Sequence, residues 1–177
     1  MPRLILIPHA EAQPRSTWAG DEDLRPLRPC GARQATHLAD AIGRVGAIYS
    51  SPARRCVQTV EPLAAASGTP IATRDELREV TLHQTGPWDW WLDSAMRYAL
   101  HGAVAATKIV KILDAIRSRH AHDRVAVCSH GNTIPIAIAC LTTGGELPAP
   151  VERGGWYEIG DGRLTAHRPD DCPGTAA

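Results

Sequence analysis

Leu4-Ile5-Leu6-Ile7-Pro8-His9-Ala10-Glu11 is the stretch that sets the fold. Four consecutive aliphatic side chains leave neither face of the segment polar, the pattern of a strand buried on both sides in a parallel sheet. Pro8 ends the run, and a histidine and a glutamate follow within three residues. Two other runs repeat the arrangement: Ala47-Ile48-Tyr49 leads into Ser50-Ser51-Pro52-Ala53-Arg54-Arg55, and Val125-Ala126-Val127-Cys128 leads into Ser129-His130-Gly131-Asn132. Between them the apolar spacing becomes helical. Ala35, Leu38, Ala39 and Ile42 recur at i, i+3, i+4 and i+7, and Val57, Val60, Leu63 and Ala64 repeat that spacing. A longer helix is predicted from about Ala99 to His120, with Ile109, Ile112, Leu113 and Ile116 on one face, and a fourth from Thr133 to about Leu141. Strands alternating with helices predict an α/β fold, a three-layer sandwich whose mostly parallel central sheet is flanked by helices. Gly155-Trp156-Tyr157-Glu158-Ile159 and Arg163-Leu164-Thr165-Ala166-His167, joined by Gly160-Asp161-Gly162, predict an antiparallel edge hairpin near the C-terminus.

A chain of 177 residues predicts a single domain, here over 1–168, with the Pro- and Gly-containing 169–177 as a flexible tail. Nineteen Lys and Arg balance nineteen Asp and Glu, so no net field draws the protein to nucleic acid or to an anionic membrane, and any anion must be captured locally. With 44% apolar and 21% charged residues, the composition is that of a compact soluble globule. The five cysteines, Cys30, Cys56, Cys128, Cys140 and Cys172, form no C-x-x-C, which predicts buried thiols rather than disulfides or a zinc site. The apolar run after Met1-Pro2-Arg3 is too short for the core of a signal peptide, and no stretch approaches the ~20 apolar residues of a membrane span. A cytoplasmic location is expected.

Ligands of a parallel sheet collect at the carboxyl ends of its strands, where helix N-termini offer free N–H groups. His9, Arg54-Arg55 and His130-Gly131 all follow predicted strands. At these positions the sequence resembles the histidine phosphatase superfamily, the phosphoglycerate-mutase-like proteins. Leu4 to Ala10 resembles the family's hydrophobic-R-H-G/A signature, and Arg25-Pro26-Leu27-Arg28-Pro29-Cys30-Gly31-Ala32-Arg33-Gln34-Ala35 its R-P-L-T-x-x-G-x-x-Q-A segment. Tyr49 to Thr59 is similar to S-S-P-x-x-R-x-x-Q-T, Leu77-Arg78-Glu79 to L-x-E, and Cys128 to Gly131 to the segment holding the second histidine.

The resemblance implies a two-step phosphoryl transfer without metal or cofactor. His9 would be the nucleophile, neutral at its attacking nitrogen, with the other ring N–H held by an acceptor. His130 would bind the equatorial phosphoryl oxygens, Arg55 would grip them bidentately from the first turn of its helix, and Gly131 would join Arg55 in binding substrate. Glu79 would protonate the leaving oxygen and later deprotonate the attacking water, a role that asks for a carboxyl titrating nearer neutrality. The implied partner is a small phosphorylated substrate or a phosphoprotein. Position 8 departs from the signature: Pro8 stands where the family has an arginine, so one phosphate donor is missing. Losing one preorganised donor costs ~10² to 10³ in rate. The expected activity is therefore phosphomonoester hydrolysis through phosphohistidine at His9, weakened by that loss; the alternative is a catalytically impaired relative that binds a phosphorylated ligand or protein. Arg15, Arg25, Arg54 and Arg78 are the candidate replacements.

Other polar features have plainer readings. His120-Ala121-His122-Asp123 has metal-like spacing, yet histidines at a helix C-terminus complement its dipole, and no metal is expected. Asn132 and Thr133 are expected to cap the following helix. Trp88-Asp89-Trp90-Trp91 fits either a wall over the substrate or a helix start packed into the core, and His83 lies close to Glu79 in sequence. Nucleotide binding is disfavoured by the absence of G-x-G-x-x-G and G-x-x-x-x-G-K-[ST].

Overall fold

The structure is a computed structural model describing residues 3–80, 94–142, 149–161 and 163–168. His83, Trp88–Trp91, Gly162, Cys172 and the tail 169–177 lie outside the described residues. In chain order the elements are β1 (Arg3–Pro8), α1 (Pro29–Ile42), β2 (Ala47–Ser50), α2 (Arg54–Ser67), β3 (Ile71–Thr73), α3 (Ser94–Arg119), β4 (Arg124–Ser129), α4 (Thr133–Leu141), β5 (Trp156–Gly160) and β6 (Arg163–His167). They form an α/β fold around one six-stranded sheet of order β3-β2-β4-β1-β5-β6. The first four strands in that order are parallel; β5 is antiparallel to β1, and β6 to β5.

Strand periodicity decides what each face buries. Leu4 and Leu6 join Tyr49, Val125 and Val127 against Ile109, Leu113, Ile116, Ile134 and Ile138 of α3 and α4. Ile5 and Ile7 point the other way, with Ile48 and Ala126, onto Leu38, Ile42, Val60 and Leu63 of α1 and α2. Each central strand is covered on both faces, as its unbroken apolar run requires. Among the described residues no helix is long and apolar enough to cross a membrane.

Several expectations shift. The third helix begins earlier, at Ser94, and the short strand β3 had no apolar run long enough to reveal it. On α2 the buried residues are Arg55, Cys56, Thr59, Val60, Leu63 and Ser67, with Val57 only half-buried. The inward face of its first turns is thus partly polar, which hydrophobic spacing alone does not detect. Asn132 takes the cap position of α4, but its side chain makes no cap bond. Its Nδ2 donates instead to the Val80 carbonyl (2.8 Å), while Thr133 Oγ1 donates to that of Arg78 (3.2 Å). Both side chains therefore tie α4 to the segment carrying Glu79 rather than capping it.

Topology places the site. The chain leaves β1 towards α1 on one face of the sheet and leaves β4 towards α4 on the other, although β1 and β4 are adjacent. Such a reversal opens a crevice beyond the carboxyl ends of two parallel strands. Pro8 pairs with Ser129, and the His9 N–H donates to the Ser129 carbonyl at 2.9 Å, so His9 and His130 emerge side by side at that crevice.

Candidate active site

His9 and His130 are buried, at 6% and 1% exposure, with ring centroids 5.5 Å apart and planes at 72°. His9 Nδ1 lies 2.8 Å from the Ala10 carbonyl oxygen. A carbonyl can only accept, so this bond puts the ring proton on Nδ1 and leaves the lone pair on Nε2. Burial, followed by the positive charge of Arg153, lowers the His9 pKa from 6.5 to about 2, against the opposing pull of the Ala10 carbonyl. His9 is thus a neutral imidazole of fixed tautomer. The loop that carries it is pinned to α2, because the Ala10 N–H donates to Thr59 Oγ1 (2.9 Å) and that hydroxyl donates to the Arg55 carbonyl (2.7 Å).

His130 is fixed from several sides. Ser51 Oγ lies 2.9 Å from its Nε2, Arg55 Nη2 lies 3.3 Å from its Nδ1, and Cys56 Sγ packs 3.6 Å from Nε2. Arg55, only 2% exposed, donates from Nη1 to the Glu22 carbonyl (2.7 Å) and from Nη2 to Glu79 Oε2 (3.1 Å). Its Nε has no hydrogen-bond partner among the described residues, an orphaned buried donor of the kind that a ligand oxygen satisfies. Glu79, with a side chain 31% exposed, brings Oε2 to 4.0 Å from His130 Nδ1 and also accepts from Arg15 Nη2 at 2.6 Å. Glu22 accepts from Arg25 and Arg15; burial opposes its ionisation, but these guanidiniums hold its carboxyl below the usual range.

Four residues expected from the sequence, His9, Arg55, Glu79 and His130, therefore surround one crevice. Gly131 lies beside it, exposed, with no acceptor for its N–H among the described residues. Among the described residues nothing stands within 4 Å of a Cβ built there, so none of them demands glycine at that position. Of the four candidate replacement arginines, Arg15 reaches Glu79, Arg25 is occupied by Glu22 and the Gln13 carbonyl, Arg78 pairs with Asp75 and Asp23, and Arg54 is exposed. The guanidinium at His9 belongs to Arg153 instead, which sequence reading missed. Its Nη1 donates to the His9 carbonyl (2.8 Å) and stands 3.4 Å from both ring nitrogens. An atom equidistant from both at that range would collide with ring carbon if it lay in the plane, so it lies across the ring face. His120, in the metal-like pattern, is engaged at both nitrogens, with Tyr49 Oη and Asp123 Oδ2 each 3.0 Å away.

The switch point of this parallel-rich α/β sheet thus carries two histidines, an arginine and a carboxylate. The family model for the histidine phosphatase superfamily, branch 1, matches residues 4–155, and the chain belongs to that superfamily. It is similar to phosphoserine phosphatase 1 of Hydrogenobacter thermophilus, with 28% identity over 83% of this chain and 79% of the relative. Among solved structures it shares the fold of Bacillus stearothermophilus YhfR (18% identity, TM-score 0.72, 94% of this chain and 95% of the other). The same holds for a phosphoserine phosphatase from Entamoeba histolytica in complex with 3-phosphoglyceric acid (20% identity, TM-score 0.71, 94% and 95%).

Proposed function

We propose that the protein hydrolyses small phosphomonoesters, phosphoserine among the first to be tried, through a phosphohistidine intermediate at His9. The observation that carries this reading is the state of His9, a buried neutral imidazole whose Nδ1–H is held by the Ala10 carbonyl so that Nε2 keeps its lone pair. Nε2 attacks phosphorus as the ester P–O bond breaks. The charge on the equatorial oxygens is met by Arg55, including its unpartnered Nε, by His130 and by the Gly131 N–H. The arriving dianion competes with Glu79 for Arg15 and Arg55; Glu79, released from those pairs, takes up a proton from solvent and delivers it to the departing alkoxide. In the second step Glu79 takes a proton from water as that water attacks phosphorus, breaking the P–N bond and releasing inorganic phosphate with neutral His9 regenerated.

The test is turnover of p-nitrophenyl phosphate and of phosphoserine by the native chain and by His9→Ala, together with trapping of a ³²P label that is labile in acid and stable in base. Turnover and label in the native chain, with both lost in His9→Ala, are expected. A native chain that turns over neither compound and takes up no label rejects hydrolysis in favour of a binding role.

A further inference from the structure

We propose that Arg153 is a catalytic residue of this site, a guanidinium delivered from the loop before β5 that binds the phosphoryl group beside His9 and does the work that position 8, occupied by Pro8, cannot do. The inference rests on the hydrolytic reading above.

Among the described residues Arg153 is the one guanidinium in contact with His9, and it holds no ion pair. Arg15, Arg25, Arg55 and Arg78 each form an ion pair, whereas Arg153 forms none among the described residues. Only its Nη1 is engaged, at His9; Nε and Nη2 make no hydrogen bond among the described residues and are not sealed from solvent. A half-buried cation with no carboxylate at ion-pair distance among the described residues is costly to keep, and burial lowers the Arg153 pKa against the more distant negative charge of Glu11. Such a charge is stabilised by an anion arriving at the same place, and the anion that meets a neutral nucleophile here is the phosphoryl group.

The loop is built to hold this side chain. Tyr157 Oη accepts from the Val151 N–H (2.9 Å) and donates to the Ala149 carbonyl (3.1 Å), and the Gly155 N–H closes a turn onto the Glu152 carbonyl (2.9 Å). Gly154 takes a φ of 92°, a conformation that favours glycine, so the chain reverses directly after Arg153. Pro8 and Arg153 line the same cavity of about 540 Å³, bounded also by Ile134, Ile138, Val151 and Tyr157. An arginine at position 8 would enter that cavity from the strand side, so the two positions are exchangeable as sources of one positive charge.

The test compares the native chain with Arg153→Ala, Arg153→Lys, Pro8→Arg and the double variant Pro8→Arg/Arg153→Ala. The readouts are kcat and KM on p-nitrophenyl phosphate, and Kd for inorganic phosphate by calorimetry. Arg153→Ala is expected to lower kcat/KM by ~10² to 10³ and to weaken phosphate binding at least about tenfold. Arg153→Lys, which keeps the charge but loses the planar fork, should fall between. Pro8→Arg should restore activity at least about tenfold in the Arg153→Ala background and gain less in the native one, as expected when two donors serve one function. A merely structural Arg153 would not be rescued by a charge introduced at position 8. Activity and phosphate affinity within about threefold of native in Arg153→Ala, or a folded double variant no better than Arg153→Ala, would overturn the assignment. Loss of the hydrolytic reading is seen separately, as a native chain without label or turnover, and phosphate affinity still reports on Arg153 in that event.

Discussion

The state of His9 makes a quantitative prediction about pH. An imidazole whose pKa is 6.5 in the unfolded chain and about 2 in the folded one binds a proton only on unfolding over the whole interval between. The folded pKa is the depressed one, so its contribution is fully present above pH 6.5 and is lost as pH falls, at about 1.4 kcal/mol per unit. At pH 5, one and a half units below the unfolded value, the loss is ~2 kcal/mol. His9→Gln removes the titration while keeping a side chain of similar size. Urea unfolding at pH 7 and pH 5 should therefore show the native chain losing ~2 kcal/mol more than His9→Gln. Proton NMR should show no titration of the His9 ring down to pH 4. The nucleophile would then stay neutral in mild acid, and the acid limb of kcat/KM would report the second ionisation of the phosphate ester, near pH ~6, rather than His9. A His9 midpoint near pH 6, or equal losses of stability in the two chains, would refute the account of its burial.

Two further outcomes follow from the contacts. Glu79→Gln removes the proton donor but leaves the anion pocket, so kcat on phosphoserine should fall ~10² to 10⁴; kcat on p-nitrophenyl phosphate, whose leaving group needs little protonation, should fall clearly less in the same steady-state assay. Gly31→Ala sets a Cβ against the backbone carbonyl of Glu11, where α1 passes under the loop after His9. Rigid backbone cannot yield cheaply, so urea unfolding should show a loss on the order of 3 kcal/mol.

What the sequence reveals of the fold depends on how many residues share one physical reason. β1, β2 and β4 are runs of four to six residues buried on both faces, and their composition alone announces them. β3 has three residues, none fully buried, and its position depends on pairing with β2 rather than on any pattern of its own. The stripe on α2 holds at Val60, Leu63 and Ala64 and departs at Val57 for a different reason. Val57 is apolar and in phase with Val60 and Leu63, yet the first turns face the crevice, and there the inward positions go to Arg55, Cys56 and Thr59. Hydrophobic periodicity assumes an apolar interior, and it fails where the interior is a polar site.

The site divides along the same line. His9, Arg55 and His130 are legible because each sits within a few residues of a strand end, where the parallel topology already sends ligands. Arg153 lies 144 residues from His9, outside every motif, in a loop whose course depends on Tyr157 and on the turn at Gly154. The charge balance of nineteen against nineteen also conceals how unevenly the pairs are made. Glu22 and Glu79 between them occupy Arg15, Arg25 and Arg55, so in the proposed reaction an incoming phosphoryl group draws Arg15 and Arg55 away from carboxylates that already hold them. It displaces no carboxylate from Arg153. Each released pair subtracts from the binding energy that its guanidinium returns, whereas Arg153, reached by Glu11 and Glu79 only beyond ion-pair distance, gives up no such pair. If Arg153 meets the phosphoryl group as proposed, the arginine hardest to find in the sequence is thus the one that gives up no ion pair to do so.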